Sequence, residues 1–394
     1  MILKVARDIF SKRPSRPEVS PEVVTKEMKT LYEAIETFAG SNNIDLSNHA
    51  DTRATTLLKL RTNLLTFVAF KNYNQSAEMM KALVDDKGNI RSWSAFEREA
   101  IAIGDKYNKN WLKAEYNTTV AAAQSAAQWA DFERSKETFP YLIYKTQDDN
   151  KVRMSHRSLH DVAKHIDDEF WDQYYPPNGW QCRCYVLQSR TADGYVVDPK
   201  TLPDDQSHPP AFKTNPGKTG KIWNEQHPYF TSAKKSDVQN IWKARNDMFH
   251  NNDEYYDRID GINVHFSNYM NDAFEKEYNM AKYLKTTKGI DVKMLPQMDD
   301  LSKTNPDYLF GGNTVAEFKS FSSTNYRNIE KSIRGKGGAI DQLTRSRHAD
   351  KKKVVIAEVL NDADISIIVS KVKASKRMKD IELWIVQNGT LYVF

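Results

Sequence analysis

The chain has 394 residues, 40% hydrophobic and 28% charged, with a formal net charge of +5 and a mean hydropathy of -0.69. These values describe ordinary globular protein of two or three domains, and the mild charge neither demands nor excludes a nucleic-acid partner. Two cysteines, Cys182 and Cys184, exclude a disulfide framework, and no apolar run of about 18 residues is present to span a membrane.

Met1 to Lys12 lacks the apolar core of a secretory signal, and Pro14, Pro17 and Pro21 predict a flexible arm over residues 1–20. From about Ser20 to Ala130 the pattern is helical. Leu57, Leu58, Leu60, Leu64, Leu65, Phe67 and Val68 fall on one broad face, and Trp111 to Trp129 is rich in helix-forming alanine. Beyond Pro140, prolines and glycines break the chain into short segments, which predicts a loop-rich region. Helices return from about Ser236 to Thr287, with a break at Asp260-Gly261, and residues 236–264 read as a helical linker.

The tail reads as a separate α/β unit, residues 265–394. Short strands are expected at Val292–Leu295, Tyr308–Phe310 and Thr314–Phe318, then a helix from about Ile329 to Ser346 and a strand over Val354–Val359. A helix around Ile365–Lys376 follows, and Asn388-Gly389 between alternating apolar residues predicts a terminal hairpin.

Between 107 and 230, three patches stand in order. Asn110-Trp111 runs through Glu115-Tyr116-Asn117-Thr118 into the alanine-rich helix. Val152 to His160 leads to Phe170-Trp171-Asp172. Tyr175-Pro176-Pro177-Asn178-Gly179-Trp180-Gln181-Cys182-Arg183-Cys184 closes the series. Asn215-Pro216-Gly217 and His227-Pro228-Tyr229 follow. This arrangement resembles the Mu F-like head-morphogenesis family over residues 100–230, and extends over a module of 21–235. It departs from the family pattern after His160, where Asp161-Val162 replaces the usual glycine. The resemblance implies a minor capsid protein of a phage or prophage, made in the host cytoplasm and carried in the virion head, with portal and capsid proteins as partners.

The residues themselves leave alternatives open. His156, His160, Cys182 and Cys184 have the donor types of a structural Zn²⁺ site. The bland reading is a packed motif with cysteine as apolar filler, and a Cys-His hydrolase is a third reading. Trp171 and Trp180 read as aromatic anchors for a loop-rich core.

In the tail, Pro306-Asp307 is followed, after nine intervening residues, by Glu317-Phe318-Lys319. On a strand Glu317 and Lys319 share one face, the layout of a PD-(D/E)xK metal-dependent nuclease. In it Asp307 and Glu317, with Glu277 from the preceding helix, hold Mg²⁺ or a similar divalent cation, Lys319 activates water or stabilises charge, and Gln342 orients. Arg334, Lys336, Arg345 and Arg347 are candidate phosphate contacts. The bland reading is a solvated strand of alternating charge beside a solvent-facing basic helix.

The tail also resembles the C-terminal toxins of bacterial contact-dependent inhibition systems, through Glu277, Ala281, Leu284, Gly289, Val292, Leu295, Pro306-Asp307-Tyr308 and Glu317-x-Lys319. That resemblance implies an RNase, with tRNA as a substrate and an immunity protein as a partner. Two rivals stand beside it: a structural minor capsid protein with a non-catalytic tail, and a metal-independent RNase of the barnase/EndoU/colicin/RelE type using Lys319, His348, Arg334 or Ser320. The expected fold class is multidomain: a mostly α, loop-rich α+β head-morphogenesis module, then an α/β domain of PD-(D/E)xK nuclease type.

Overall fold

A computed structural model describes residues 1–48, 50–147, 149–199, 202, 208–251, 253–296 and 305–394. The chain divides into two units, Met1–Arg245 and Asn246–Phe394.

In the first unit, α1 (Ile2–Lys12), α2 (Pro21–Ser41), α3 (Thr52–Ala82), α4 (Trp93–Asp105) and α5 (Leu112–Ser135) make the helical part, with a π-helical turn over Lys106–Trp111. Ser20 caps α2 ahead of Pro21, and Asp51 caps α3 through the Arg53 amide. The expected arm is corrected here. Ile2, Val5, Ala6, Ile9 and Phe10 repeat with helical spacing, Ala6 and Ile9 are buried, and Phe10 meets Trp93 of α4 edge-on at 5.3 Å. The three prolines lie at or beyond Pro14, so they end the helix without preventing it.

Helices α2, α3 and α5 pack on one another. One fully buried cluster links all three, with Lys71 of α3 3.0 Å from Glu27 of α2 and 2.6 Å from Glu115 of α5. The loop-rich stretch is built around a small antiparallel sheet of β1 (Tyr141–Lys145), β2 (Ala163–His165) and β3 (Tyr185–Ser189), with β1 central. Short helices α6 (Met154–Arg157) and α7 (Phe170–Tyr174) flank it, and α8 (Pro216–Thr219) and α9 (Pro228–Thr231) follow. Trp171 and Tyr175 are fully buried with Leu142, Tyr144 and Trp129, and Trp180 packs edge-on against Phe212. The tryptophans are therefore core anchors.

Helix α10 (Lys235–Asn251) leads into the second unit. Its eight-stranded mixed sheet has the order β11-β10-β9-β8-β7-β6-β5-β4. The strands are β4 (Tyr256–Ile259), β5 (Ile262–His265), β6 (Val292–Met294), β7 (Tyr308–Phe310), β8 (Thr314–Phe321), β9 (Lys352–Val359), β10 (Ile381–Gln387) and β11 (Thr390–Val393). Pairs β5–β6, β8–β9 and β9–β10 are parallel, and the remaining pairs antiparallel. The helical linker expected over 236–264 is thus only partly helical. Asp260-Gly261, read as a helix break, is the two-residue turn of the β4–β5 hairpin, both residues at positive φ.

Helix α11 (Phe274–Lys288) packs on β5 and β6, burying Met280, Ala281 and Leu284. The single helix expected from Ile329 to Ser346 is two, α12 (Tyr326–Arg334) and α13 (Ala339–Arg345). Between them a Cβ on Gly335 would stand 2.4 Å from the Lys331 carbonyl oxygen, so the chain turns there through backbone contact only glycine allows. With α14 (Ile365–Lys373), these helices cover one core with Val315, Phe321, Val355, Ala357 and Leu383 of the sheet.

Candidate functional site

The sequence spacing around Glu317 resolves into a cluster. Asp307 ends the segment entering β7, Glu317 and Lys319 share a face of the adjoining β8, and Glu277 comes from α11. The Tyr308 hydroxyl donates to the Glu277 carbonyl oxygen at 2.8 Å, which ties α11 to β7. Glu277 and Glu317 are 8% and 4% exposed, so both carboxyl groups have lost most of their water.

Each group in the cluster is matched to another. Lys319 Nζ donates to Glu317 Oε1 at 2.7 Å. The Phe318 amide donates to Asp307 Oδ2 at 2.7 Å, and Asn271 donates to both oxygens of Glu277 at 3.1 and 3.0 Å. Glu317 Oε2 is buried with no hydrogen-bond partner among the described residues.

The electrostatics follow. Burial, and then the Asp307 charge, push Glu317 up to about 8 against the pull of Lys319. Burial and the Asp307 charge push Glu277 up to about 7, with Asn271 opposing. Asp307 is raised by burial, although Lys319 and the Phe318 amide favour its charged form. Burial works against the Lys319 ammonium, but Glu317, Asp307 and Glu277 outweigh it and raise its pKa. Hard oxygen donors that repel one another, one of them an orphaned buried oxygen, fit a divalent cation. The three carboxylates are not drawn together as closely as His156, Cys182 and Cys184, whose ligand atoms all lie within 4.8 Å of one another.

Gln342 lies half-buried on α13. That helix packs over the face of β8 that carries Glu317 and Lys319, since Val315 and Phe321 of the same parity share a core with Ile340 and Leu343. The four basic candidates separate. Arg334 pairs with Glu330 at 2.6 Å and donates to the Lys371 carbonyl oxygen, while Arg347, 17% exposed, pairs with Asp247 at 2.6 Å. Both are thus engaged in contacts that hold the fold. Lys336 is exposed in the α12–α13 turn, and Arg345 is exposed with only a 3.7 Å approach to Asp341. Of the residues of the metal-independent alternative, Ser320 points to the face opposite Lys319 and donates to Glu358 at 2.8 Å.

In the first unit, three of the four zinc candidates meet. His156 Nδ1 lies 3.8 Å from Cys182 Sγ and 3.4 Å from Cys184 Sγ. His160 is elsewhere, and its place in the metal site is corrected. Helix α6 ends at Arg157, so the i, i+4 relation does not hold. The His160 ring accepts from the Thr146 amide at 3.1 Å, with Thr146 Oγ1 at 2.8 Å and Asp161 at 3.5 Å from its other nitrogen. Hydrogen bonding with Cys184, and then with His156, holds the Cys182 thiol below its usual range against burial. The same contact with Cys182, together with burial, pushes Cys184 up.

Residues the sequence reading passed over are Asn271, which orients Glu277, and Asn178, whose Oδ1 accepts from the Tyr144 hydroxyl at 2.7 Å beside the cysteines. An asparagine shortly before a helix signals a cap, and Asn271 does bond the Ala273 amide, but nothing in its spacing marks the carboxylate contact.

The comparisons with known proteins bear on the first unit. Residues 71–187 match the family model described as Phage Mu protein F like protein. Protein F of Escherichia phage Mu, named for capsid assembly, is 38% identical over 26% of this chain and 21% of its own length. The Mu-like prophage FluMu F protein of Haemophilus influenzae is 30% identical over 29% of this chain and 33% of its own. The chain thus spans about a fifth and a third of these relatives. No solved structure matches. No helix among the described residues is long and apolar enough to cross a membrane. The stretch from Lys71 to Leu187 that is similar to the Mu F-like family carries the end of α3, all of α4 and α5, and most of the small sheet with its His156, Cys182 and Cys184 cluster.

Proposed function

We propose that this chain is a phage head-assembly protein whose second unit is a metal-dependent nuclease acting on RNA. The head-assembly part rests on the Mu F-like segment, and portal and capsid proteins are its partners. The nuclease part rests on one observation: Asp307, Glu317 and Lys319, from separate strand positions, converge with Glu277 from α11 in a buried anionic pocket.

A divalent ion held by Asp307 and Glu317 would polarise the phosphoryl group and lower the pKa of the attacking water. The chain's own residues do the rest. Asn271 fixes Glu277 through both oxygens, and the Phe318 amide fixes Asp307, so the pocket is set before substrate arrives. Lys319, held against Glu317, supplies a positive charge that orients water or meets the developing charge on phosphate. Exposed Lys336 and Arg345 offer backbone contacts to the nucleic acid. Without a cation the pocket would repel phosphate, which favours the metal-dependent reading over a metal-free RNase. Cleavage by such a domain also calls for an immunity protein in the producing cell.

The test incubates the full chain with total RNA and plasmid DNA, in Mg²⁺ and in EDTA. RNA cleavage that EDTA abolishes and Lys319→Ala removes is the expected result. Cleavage surviving EDTA overturns the metal dependence, DNA cleavage alone overturns the substrate, and inertness toward both leaves head assembly as the function.

A further inference from the structure

We infer that His156, Cys182 and Cys184 form a structural zinc site with one water as fourth ligand, which fastens the α6 turn to the start of β3.

In a tetrahedral zinc site with metal–sulfur bonds of about 2.3 Å and metal–nitrogen bonds of about 2.0 Å, nitrogen and sulfur ligands stand about 3.5 Å apart. The two separations from His156 Nδ1, 3.4 and 3.8 Å, bracket that value. A hydrogen bond alone does not explain why one imidazole nitrogen should sit at this range from two sulfurs at once. The three donor atoms lie within 4.8 Å of one another, the one such group of three or more among the described residues.

The chain builds the site on purpose-made backbone. Gln181 takes a positive φ of 57°, and the Cys182 amide donates to the Gly179 carbonyl oxygen, so the strand-to-be doubles back just before Cys182. From there the i, i+2 spacing turns both sulfurs to one side of the segment entering β3. His156 is delivered by α6, 26 residues earlier, and is 3% exposed. Its second nitrogen, Nε2, is buried with no hydrogen-bond partner among the described residues. With the ring proton on Nε2, the Nδ1 lone pair is directed at the space between the two sulfurs, as a metal ligand requires.

The surroundings match a metal thiolate. The Asn178 backbone amide acts on Cys182, the kind of outer contact that metal-bound sulfur accepts. Two thiolates and Zn²⁺ sum to neutral, which suits a site whose Cys184 packs against the apolar cluster that includes Leu142, Leu159 and Val186. The cleft that His156, Cys182 and Cys184 line with Gln147, Lys151, Arg153 and Arg183 measures about 20 Å³. That is room for about one water, which suits a structural clasp better than a site that must admit a substrate.

The test uses the full chain, purified reduced and without chelator, and measures zinc by mass spectrometry. One zinc per chain is expected, falling below about a tenth in Cys182→Ser, Cys184→Ser and His156→Asn, while His160→Ala and Glu317→Gln keep it. Because misfolding would also lose metal, the unmodified chain is titrated with a mercurial, which should release one zinc per two thiols. Cobalt substitution should give thiolate-to-metal charge-transfer bands, and since Cys182 and Cys184 are the only cysteines, such bands come from this site alone. Zinc below a tenth per chain with no cobalt bands, a disulfide between the cysteines in the reduced preparation, or zinc that survives Cys182→Ser overturns the inference.

Discussion

Lys319 donates to Glu317 across 2.7 Å from two residues along the same face of β8, joining a part-exposed cation to a buried acid. The pair is asymmetric. Glu317 is raised to about 8 despite Lys319, so removing the ammonium would drive it further toward the neutral form.

Lys319→Met should therefore lower RNA cleavage at pH 7 by about 100-fold or more, because it removes a cationic group and a favourable charge on a metal ligand together. The pH–rate profile separates the two effects. The acid limb of the variant should move to higher pH, by an amount that a merely misfolded enzyme would not show. An unshifted limb with unchanged rate would sink the role given to Lys319.

Stability should depend on pH in the opposite sense to most carboxylates. Glu277 at about 7 and Glu317 at about 8 both lie above the usual 4.5, so the folded state binds more protons than the unfolded one in that window. Their contribution is fully present below pH 4.5 and is lost as pH rises through 7 and 8. In EDTA the melting temperature of the second unit should fall between pH 5 and pH 8.5. Mg²⁺ should restore more at pH 8.5 than at pH 6, where the carboxyls are protonated, and Glu317→Gln should flatten both trends. Calorimetry across that range checks it.

Much of the second unit was legible in the sequence, and the reason is local chemistry. Asn388-Gly389 takes the positive φ its composition demands, and Glu317 and Lys319, two apart, both lie on β8. The β4–β5 hairpin was missed although Asp260-Gly261 is an equally good turn. Its strands have four residues each, and polar Asp257, Arg258 and Asn263 interrupt the apolar pattern. His160 was assigned by helical spacing, which fails where a four-residue helix stops at Arg157. The union of His156 with two cysteines 26 and 28 residues away depends on how the small sheet closes, and no local pattern carries that information.

The Lys71 cluster should dominate the stability of the helical part. Lys71 is 1% exposed between Glu27 and Glu115, and Glu115 is raised to about 7 by burial even with the lysine present. Lys71→Met leaves two buried carboxyls without a cation, so it should destabilise by about 3–5 kcal/mol. Adding Glu27→Gln and Glu115→Gln should recover a large part of that, since the loss comes from uncompensated charge. Urea denaturation of the single and triple variants decides it, and a triple variant no more stable than the single would show that packing around Lys71 is what matters.

Gly217 and Gly40 should respond to alanine with opposite signs. A Cβ on Gly217 would stand 2.5 Å from Trp129 Cγ and 2.3 Å from its Cβ, an atom fixed by the backbone of α5 that no rotamer change can move aside. Asn215 caps α8 by accepting from the Gly217 and Lys218 amides, and Trp129 is 3% exposed, so α8 is held from its own end and pressed onto a buried ring. Gly217→Ala must lift α8 from α5 or displace the indole, a change of about 1–3 kcal/mol for overpacking and at the upper end here. Gly40 lies in the last turn of α2, and a methyl group added there would meet nothing within 4 Å. Gly40→Ala should therefore stabilise by about 0.5–1 kcal/mol through the unfolded chain's lost freedom. Denaturation midpoints of the two variants, read by tryptophan fluorescence, should move in opposite directions. If Gly217→Ala left the midpoint unchanged, the glycine in Asn215-Pro216-Gly217 would owe its place to something other than the approach of α8 to Trp129.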